Sequence, residues 1–197
     1  MVTMDAYEKF LIECDTLKKI ERRAVLTDNS RQENTAEHSW HIAVFALTLA
    51  DYAPHNTDIN RVIAMLVVHD IVEIDAGDVL LFERTGDVLK KIQERERKAA
   101  DRLFGLLPTK KQAYLRQLWE EFEQAETNEA RFAKVIDLLQ PLLQLYGSGG
   151  AEWKKNKITA VKIRSSWETV KDVSPVIWDY VQRTIEKTVE RGYIEET

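Results

Sequence analysis

The sequence has few of the residues that cross-link or interrupt a chain: its 197 residues include one cysteine, seven glycines and four prolines. Because a disulfide needs two cysteines, the lone Cys14 excludes one within the chain and favours a reducing compartment. Apolar runs are short as well, and none approaches the ~18 consecutive residues of a membrane-spanning helix. No strand-like alternation of apolar and polar residues is sustained, so we predict an all-α fold.

Charge of neither sign is concentrated in one part of the chain. The formal net charge is −5, with acidic and basic residues interspersed, so no basic stripe indicates binding to a long nucleic acid. The early acids Asp5 and Glu8 are not typical of a signal peptide. We therefore expect a cytoplasmic protein with no membrane partner. The length predicts one domain over residues 1–197, with C-terminal helices at about 151–197 packed on the same bundle.

Helical segments are predicted from apolar periodicity and from residues that begin or end helices. Asn34, followed three residues later by Glu37, has the pattern of a capping box, which predicts a helix start after a polar loop at about 27–33. This helix is expected to end before Pro54. The other helices are predicted at about 6–21, 59–74, 87–106, 108–124, 128–146, 157–171 and 175–191.

Four polar residues lie where the sequence predicts a buried helix surface. His69 and Asp70 close the apolar run 62–68, and Asp137 lies inside a second apolar segment. His38 begins an apolar stripe that continues along its predicted helix. A buried imidazole or carboxylate is costly unless its charge is compensated. Two histidines and two aspartates on three predicted helices therefore predict a metal site.

The ligand types restrict the chemistry of such a site. Two imidazoles and two carboxylates suit borderline or hard divalent ions that keep positions open for water and substrate. Metal-assisted hydrolysis is the natural reaction, because such an ion lowers the pKa of water and neutralises phosphoryl oxygens. Glu73 lies four residues after His69 and three after Asp70, so it shares their face and is expected to act on water. A surface carboxylate is the alternative interpretation of Glu73.

Pro141 follows Asp137 by four residues and cannot donate a hydrogen bond to its carbonyl. We therefore expect a kink just past Asp137. The hypothesis is that this kink aims the Asp137 side chain inward.

The spacing of these residues resembles that of a known superfamily. Glu37-His38-Ser39, then His69-Asp70 with Glu73 and Gly77-Asp78, then Asp137, resemble the motifs of the HD-domain phosphohydrolases. The runs 17–22, 31–38, 118–122 and 129–134 are similar to those of its small 5'-deoxynucleotidase branch. The resemblance extends over nearly the whole chain.

The resemblance implies a helical bundle with a metal site at its centre, commonly in a homodimer. It implies four metal ligands: His38, His69, Asp70 and Asp137. Glu73 would act on the attacking water or on the leaving oxygen, and Asp78 would lie near the sugar or help to organise water. Arg22 would hold the phosphate. Two structural alternatives remain: a simple turn at Gly77-Asp78, and an ordinary charged residue, Arg22, at the end of the first predicted helix.

One position departs from the family pattern. The deoxynucleotide-specific members often have tryptophan directly after the phosphate-binding arginine, and this chain has Arg23 there. The choice between Arg22 and Arg23 as the phosphate ligand therefore stays open, and so does selectivity for 2'-deoxynucleotides.

These features predict a phosphohydrolase that removes the 5'-phosphate from (deoxy)nucleoside monophosphates with one divalent ion, namely Mn, Co, Mg or Fe. The expected partners are a small nucleotide and a second copy of the chain. Most of the five tryptophans are interpreted as core or dimer contacts rather than base-stacking groups. Two alternatives remain. One is an HD phosphohydrolase for a cyclic nucleotide, a nucleoside triphosphate or an alarmone, and the other is a non-catalytic nucleotide-sensing module.

Overall fold

The computed structural model describes residues 3–79 and 86–197 and confirms the predicted all-α class. A single two-stranded hairpin accompanies the helices in these ranges. The helices are α1 (Asp5–Cys14), α2 (Thr35–Thr48), α3 (Ile59–Val68), α4 (Glu73–Ala76), α5 (Gly86–Phe104), α6 (Thr109–Gln124), α7 (Asn128–Gly147), α8 (Ala151–Lys155), α9 (Ala160–Ser166), α10 (Glu168–Val173) and α11 (Pro175–Glu190).

The core is centred on α3, which packs against α2, α6 and α7. Its side chains Val62, Met65 and Leu66 are fully buried. Removing a side chain of this size from water stabilises a fold by about 1.5–3 kcal/mol. The C-terminal helices α10 and α11 both contact α7. The three helices predicted to carry the ligands therefore meet in the interior.

The predicted capping box is present at the start of α2. The side chain of Asn34 accepts from the backbone N–H of Glu37 at 3.0 Å, and the Glu37 carboxylate accepts from the backbone N–H of Asn34 at 3.1 Å. Arg31 donates two further hydrogen bonds to Glu37. The two reciprocal contacts satisfy the backbone N–H groups of Asn34 and Glu37, and Arg31 holds the Glu37 carboxylate in place. They also fix where α2 begins, and so the position of His38 one turn later.

The prediction of one helix over residues 6–21 is wrong beyond Cys14. A 3-10 turn, Asp15–Lys19, follows α1, and β1 (Glu21–Val25) then pairs antiparallel with β2 (Gln32–Asn34). Arg22 and Arg23 therefore lie on a strand rather than at a helix end, and the polar loop expected at 27–33 ends in a strand. Such short polar strands carry no apolar alternation that a sequence pattern could reveal.

The helix predicted at 59–74 is also interrupted. A 3-10 turn, His69–Val72, separates α3 from α4. The His69 ring donates from Nδ1 to the Leu66 carbonyl at 2.9 Å. That carbonyl is the one that the Asp70 N–H would bond in a continuing α-helix, so the side chain competes with the helix. Residues three apart in a 3-10 turn lie above one another, which keeps Asp70 and Glu73 on one side.

The prediction of one helix at 157–171 is wrong: the range contains two short helices, α9 and α10, and a third short helix, α8, precedes it. Lys157 has a positive φ of 51°, which no helix accommodates. Within α7, Pro141 is part of the helix, and its effect on the direction of Asp137 stays a prediction.

No helix in the described parts of the chain is both apolar enough and long enough to cross a membrane.

Candidate metal centre

Three side chains from separate elements converge at the centre of the bundle. His38 comes from α2, His69 from the 3-10 turn after α3, and Asp137 from α7. One potential ligand atom from each lies within 4.8 Å of the others. His38 is 0% exposed and His69 5% exposed. The distance between Nε2 of His38 and Oδ1 of Asp137 is 3.0 Å, and that from Nε2 of His69 is 3.6 Å.

Each imidazole uses its other nitrogen for a hydrogen bond away from this cluster. Nδ1 of His69 bonds the Leu66 carbonyl, and Nδ1 of His38 lies 3.0 Å from Oε1 of Gln140. Both Nε2 atoms are thereby left to face Asp137. Nε2 of His69 is buried and has no well-oriented hydrogen-bond partner among the described residues. Because such a buried polar atom is costly, it indicates a missing ligand, and two imidazoles with a carboxylate fit a divalent ion.

Asp70 lies beside this cluster and contacts both imidazoles. Its Oδ1 is 3.0 Å from Nε2 of His69, and its Oδ2 is 3.9 Å from Nε2 of His38. Oδ2 also accepts a hydrogen bond from Nη1 of Arg22 at 3.2 Å. The structure therefore brings all four predicted ligands together. Asp70 is shared between the histidines and an arginine.

Charges within the cluster compensate one another. Burial acts to lower the pKa of His69, but the charges of Asp70 and Asp137 outweigh it and raise that pKa to about 10. Burial acts to raise the pKa of Asp70, but the His69 charge lowers it to about 2. The pKa of Asp137 is likewise held well below its usual value, against burial, by the histidines. A divalent ion can take the place of the His69 proton among these acids.

The pKa of Glu73 is shifted in the opposite direction from those of Asp70 and Asp137. Its side chain is buried, with 3% exposure, so the interpretation as a surface carboxylate is wrong. Oε2 accepts a hydrogen bond from Oγ1 of Thr35 at 2.9 Å. Burial and the charges of Asp70 and Asp78 raise the pKa of Glu73 to about 9. In the metal-free protein this carboxyl group therefore holds a proton at neutral pH, close to the ligand cluster.

Arg22 and Arg23 differ in their surroundings. The Arg22 side chain is 15% exposed and lies between two acids, with its Nε 3.7 Å from Oε2 of Glu33 and its Nη1 on Asp70. Arg23 is exposed, as strand alternation requires. Both arginines line the cavity that opens from the metal centre, as does Asp78.

This cavity has a volume of about 480 Å³, within the ~300–1,000 Å³ typical of ligand pockets. His69, Asp70, Glu73 and Asp137 lie on its wall. Aromatic rings form much of the rest: Trp119, Phe122, Trp153 and Trp167. These three tryptophans are buried, as predicted for core residues, yet they also face the cavity; Trp40, by contrast, is 67% exposed.

Three polar residues near the centre are absent from the sequence-based predictions. Lys134 lines the cavity and pairs with Glu123 at 2.9 Å. Glu33 and Gln140 are buried behind His38 and hydrogen-bonded to each other at 2.9 Å. Gln140 follows Asp137 by three residues in an apolar helix, and this buried polar position was a signal that could have revealed it.

Comparisons with known proteins identify the family and the fold. Residues 14–178 match the family model of the HD domain. The crystal structure of a predicted metal-dependent phosphohydrolase from Magnetospirillum magnetotacticum MS-1 is 44% identical, with a TM-score of 0.91 and 98% of each chain covered.

Curated relatives are more distant. The 5'-deoxynucleotidase HDDC2 of Bos taurus is 31% identical over 137 residues, which cover 69% of this chain and 64% of that protein. The Danio rerio protein of the same name is 26% identical over 156 residues, covering 79% of this chain and 76% of that one. The chain thus spans somewhat under two thirds of the length of the Bos taurus relative.

Proposed function

The chain belongs to the HD domain family, and from this premise we propose that it is a metal-dependent phosphohydrolase that removes the 5'-phosphate from nucleoside monophosphates, deoxynucleotides included. The observation that carries the proposal is the convergence of His38, His69 and Asp137 near the buried Glu73, with His69, Asp137 and Glu73 on the wall of one cavity. The relatives from Bos taurus and Danio rerio are named as 5'-deoxynucleotidases, which supports the choice of substrate.

His38, His69, Asp70 and Asp137 would hold one divalent ion, with Mn, Co, Mg and Fe as the candidates that this ligand set suits. When bound, the ion would neutralise phosphoryl oxygens and lower the pKa of water. Nη1 of Arg22 donates a hydrogen bond to Oδ2 of Asp70, which limits the rotation of that carboxylate. The two imidazoles are fixed by their Nδ1 hydrogen bonds, so the ligand atoms are already arranged before binding.

Glu73 is proposed as the proton-transfer residue. Thr35 holds its Oε2, which fixes the orientation of the carboxyl group. The added positive charge of a loaded site favours the ionised form of a neighbouring acid. In that form Glu73 accepts a proton from the attacking water and returns it to the 5' oxygen of the leaving nucleoside, so that no net proton is gained or lost at the residue.

Arg22 and Arg23 are proposed to bind the phosphate, with Asp78 near the sugar. All three line the cavity around the metal centre. Arg22 is already paired with Asp70, so we expect it to contact the phosphate edge nearest that residue. The exposed Arg23 supplies a second charge nearer to solvent. Asp78 has the acceptor oxygens that a sugar hydroxyl requires.

We also propose that the protein is a cytoplasmic homodimer. Trp40, Val44 and Leu47 repeat at helical spacing along α2 and are 67%, 38% and 62% exposed. A contiguous exposed apolar face of this kind is typical of an interaction surface. Sedimentation equilibrium of the wild type and of Trp40→Glu tests the proposal, and two monomeric proteins would contradict it.

The activity is tested by phosphate release from ribo- and deoxynucleoside 5'-monophosphates, using protein stripped with EDTA and then reloaded with Mn²⁺ or Co²⁺. We expect release that depends on the ion. The deoxy-to-ribo ratio then reports whether the protein selects 2'-deoxynucleotides with Arg23 at the position where such family members often have tryptophan. Pyrophosphate release from triphosphates or alarmones, or nucleotide binding without turnover, would contradict the proposed reaction and favour the other two classes.

A further inference from the structure

A row of buried, hydrogen-bonded side chains contacts His38 on the side away from the metal centre. Gln140 is 0% exposed and Glu33 2% exposed. Oε1 of Gln140 lies 3.0 Å from Nδ1 of His38, and Nε2 of Gln140 donates to Oε1 of Glu33 at 2.9 Å. Glu33 belongs to β2 and Gln140 to α7, so the row links the hairpin, α7 and α2.

The direction of each hydrogen bond follows from the chemistry of the groups. A carboxylate can only accept, so the Gln140 amide must turn its Nε2 toward Glu33. Its Oε1 then faces His38 and can likewise only accept. The Nδ1 atom of His38 must therefore carry a proton. Nε2 of Gln140 also lies 3.1 Å from Nδ1 of His41 and 3.2 Å from Oε1 of Gln144. Because one amide hydrogen goes to Glu33, either of these atoms can accept the second one, and the orientation set by Glu33 does not depend on Gln144.

The location of this proton decides which nitrogen of His38 can bind a metal. With Nδ1 holding its proton toward Gln140, Nε2 is the nitrogen available for coordination; it lies 3.0 Å from Asp137 Oδ1, and a metal ion would take the place of the hydrogen in that contact. We propose that Gln140, held by Glu33, is a positioning residue that retains the Nδ1 proton of His38 and so presents its Nε2 to the metal centre. This inference rests on the metal site of the proposed function.

The two histidines of the centre differ in how this support is supplied. For His69 the acceptor is the backbone carbonyl of Leu66, which is part of the helix itself. For His38 it is a side chain that substitution can remove. His69 therefore serves as an internal reference, because a change at Gln140 should leave its Nδ1–H bond intact.

The first test is metal affinity after substitution of Gln140. Gln140→Met keeps the length of the side chain and removes its hydrogen bonds. Gln144→Met is the matched control, one turn further along α7, in contact with Gln140 but not paired with His38. Isothermal titration of the stripped proteins with Co²⁺ should give a Kd about 10–100-fold weaker for Gln140→Met, with the control close to wild type. Equal weakening in both variants, or none in either, would overturn the inference.

The second test locates the proton directly. Long-range ¹H–¹⁵N spectra of metal-free and zinc-loaded wild type should show the Nδ1–H groups of His38 and His69. In Gln140→Met the His38 signal should shift or exchange away while that of His69 remains. An unchanged His38 signal would refute the role of Gln140. The metal-free spectra need no bound ion, so they locate the His38 proton whether or not the protein binds a metal. A wild-type protein that binds no metal would contradict the proposed function, and the spectra would still decide the role of Gln140.

Glu33→Gln is a milder variant in case Gln140→Met does not fold. It keeps the shape of the side chain but removes the carboxylate that dictates the orientation of the Gln140 amide. We expect weaker Co²⁺ binding in the same direction and a smaller change in the His38 signal. Wild-type affinity for Co²⁺ together with an unchanged His38 signal would contradict the role of Glu33 in orienting Gln140.

Discussion

The short segment 69–78 contributes side chains to two clusters of charged residues, one inside the protein and one at its surface. The inner cluster contains His69, Asp70 and Glu73, all buried. In the outer cluster, Arg102 pairs with Asp75 and with Glu13. The Arg102 side chain is 43% exposed and that of Asp75 35% exposed. Both clusters combine acidic and basic side chains, and the main difference between the two clusters is their exposure to water.

The difference explains why protonation is strongly perturbed in the inner cluster and why we propose catalysis there. Water screens the outer pairs, and such ion pairs stabilise a protein by about 0–1 kcal/mol. Inside, desolvation makes every uncompensated charge costly, so protonation adjusts to the neighbours. Asp70 faces His69 and Arg22, and its pKa falls to about 2. The pKa of Glu73, only three residues later, rises to about 9 because of burial and the charges of Asp70 and Asp78.

The largest effect is expected from Asp70→Ala, which breaks the compensation in the inner cluster. It removes the nearer of two acids from both Arg22 and His69, which keep Glu33 at 3.7 Å and Asp137 at 3.6 Å, respectively, and breaking such a buried pair costs about 3–5 kcal/mol. We expect no detectable turnover and no measurable Mn²⁺ binding by titration. Asp75→Ala makes the same change in the outer cluster and is the control. Full activity in Asp70→Ala would refute the proposed metal site.

Glu73→Gln should separate metal binding from catalysis. The amide keeps an acceptor oxygen for Thr35 but cannot take a proton from water. Loss of general acid–base catalysis lowers kcat by about 10²–10⁴-fold, while Mn²⁺ affinity stays within a few-fold of wild type. Steady-state kinetics and titration on the same preparations check both. A kcat near that of wild type would show that Glu73 is not the proton-transfer residue.

The unfolding free energy of the metal-free protein should depend on pH through Glu73. The pKa of Glu73, about 9 in the folded state, exceeds that of the unfolded chain. Between about pH 5 and pH 9 the native state keeps a proton that the unfolded state has lost, so stability falls as pH rises. Glu73→Gln lacks this contribution and should lose less stability.

Urea unfolding of stripped wild type and Glu73→Gln, at several pH values in that range, measures the difference. His69, with a raised pKa of about 10, contributes a loss of the same sign to both proteins. Only the difference between the two curves therefore reports on Glu73. Parallel curves would mean that its carboxyl group is already ionised at neutral pH.

The smallest effect is expected in the outer cluster. Arg102→Ala removes both exposed pairs, and we expect a loss of at most about 1 kcal/mol in unfolding free energy with unchanged metal affinity and turnover. Thermal unfolding and the phosphate-release assay check this. A larger loss would show that the outer pairs anchor the segment 69–78 and are more than a solvated surface.

The sequence predicted the metal centre because its residues are anomalies in an apolar context. His38, His69, Asp70 and Asp137 interrupt helical stripes that have no other reason to contain them. The capping box at Asn34 was equally readable, since it depends on residues three apart. Both signals are local. The capping box is present in the structure, and His38, His69 and Asp137 form a group that could hold a metal ion.

The errors concern features that no local pattern specifies. The strands of the hairpin have five and three residues and little apolar character, so Arg22 was assigned to a helix end. The break at His69 arises from a side chain competing for a helix carbonyl. Gln140 and Glu33 are 107 positions apart in sequence, and only the folded chain brings them together.

The sequence by itself determined the fold class, the helices that carry the ligands and the kinds of atom available at the centre. Those properties follow from composition and from periodicity within single segments. Tertiary structure alone decided the distances between ligand atoms, the opposite protonation of Asp70 and Glu73, and the hydrogen bond that assigns the proton of His38. The reason is physical: desolvation and hydrogen bonding depend on neighbours in space, which packing of distant segments creates.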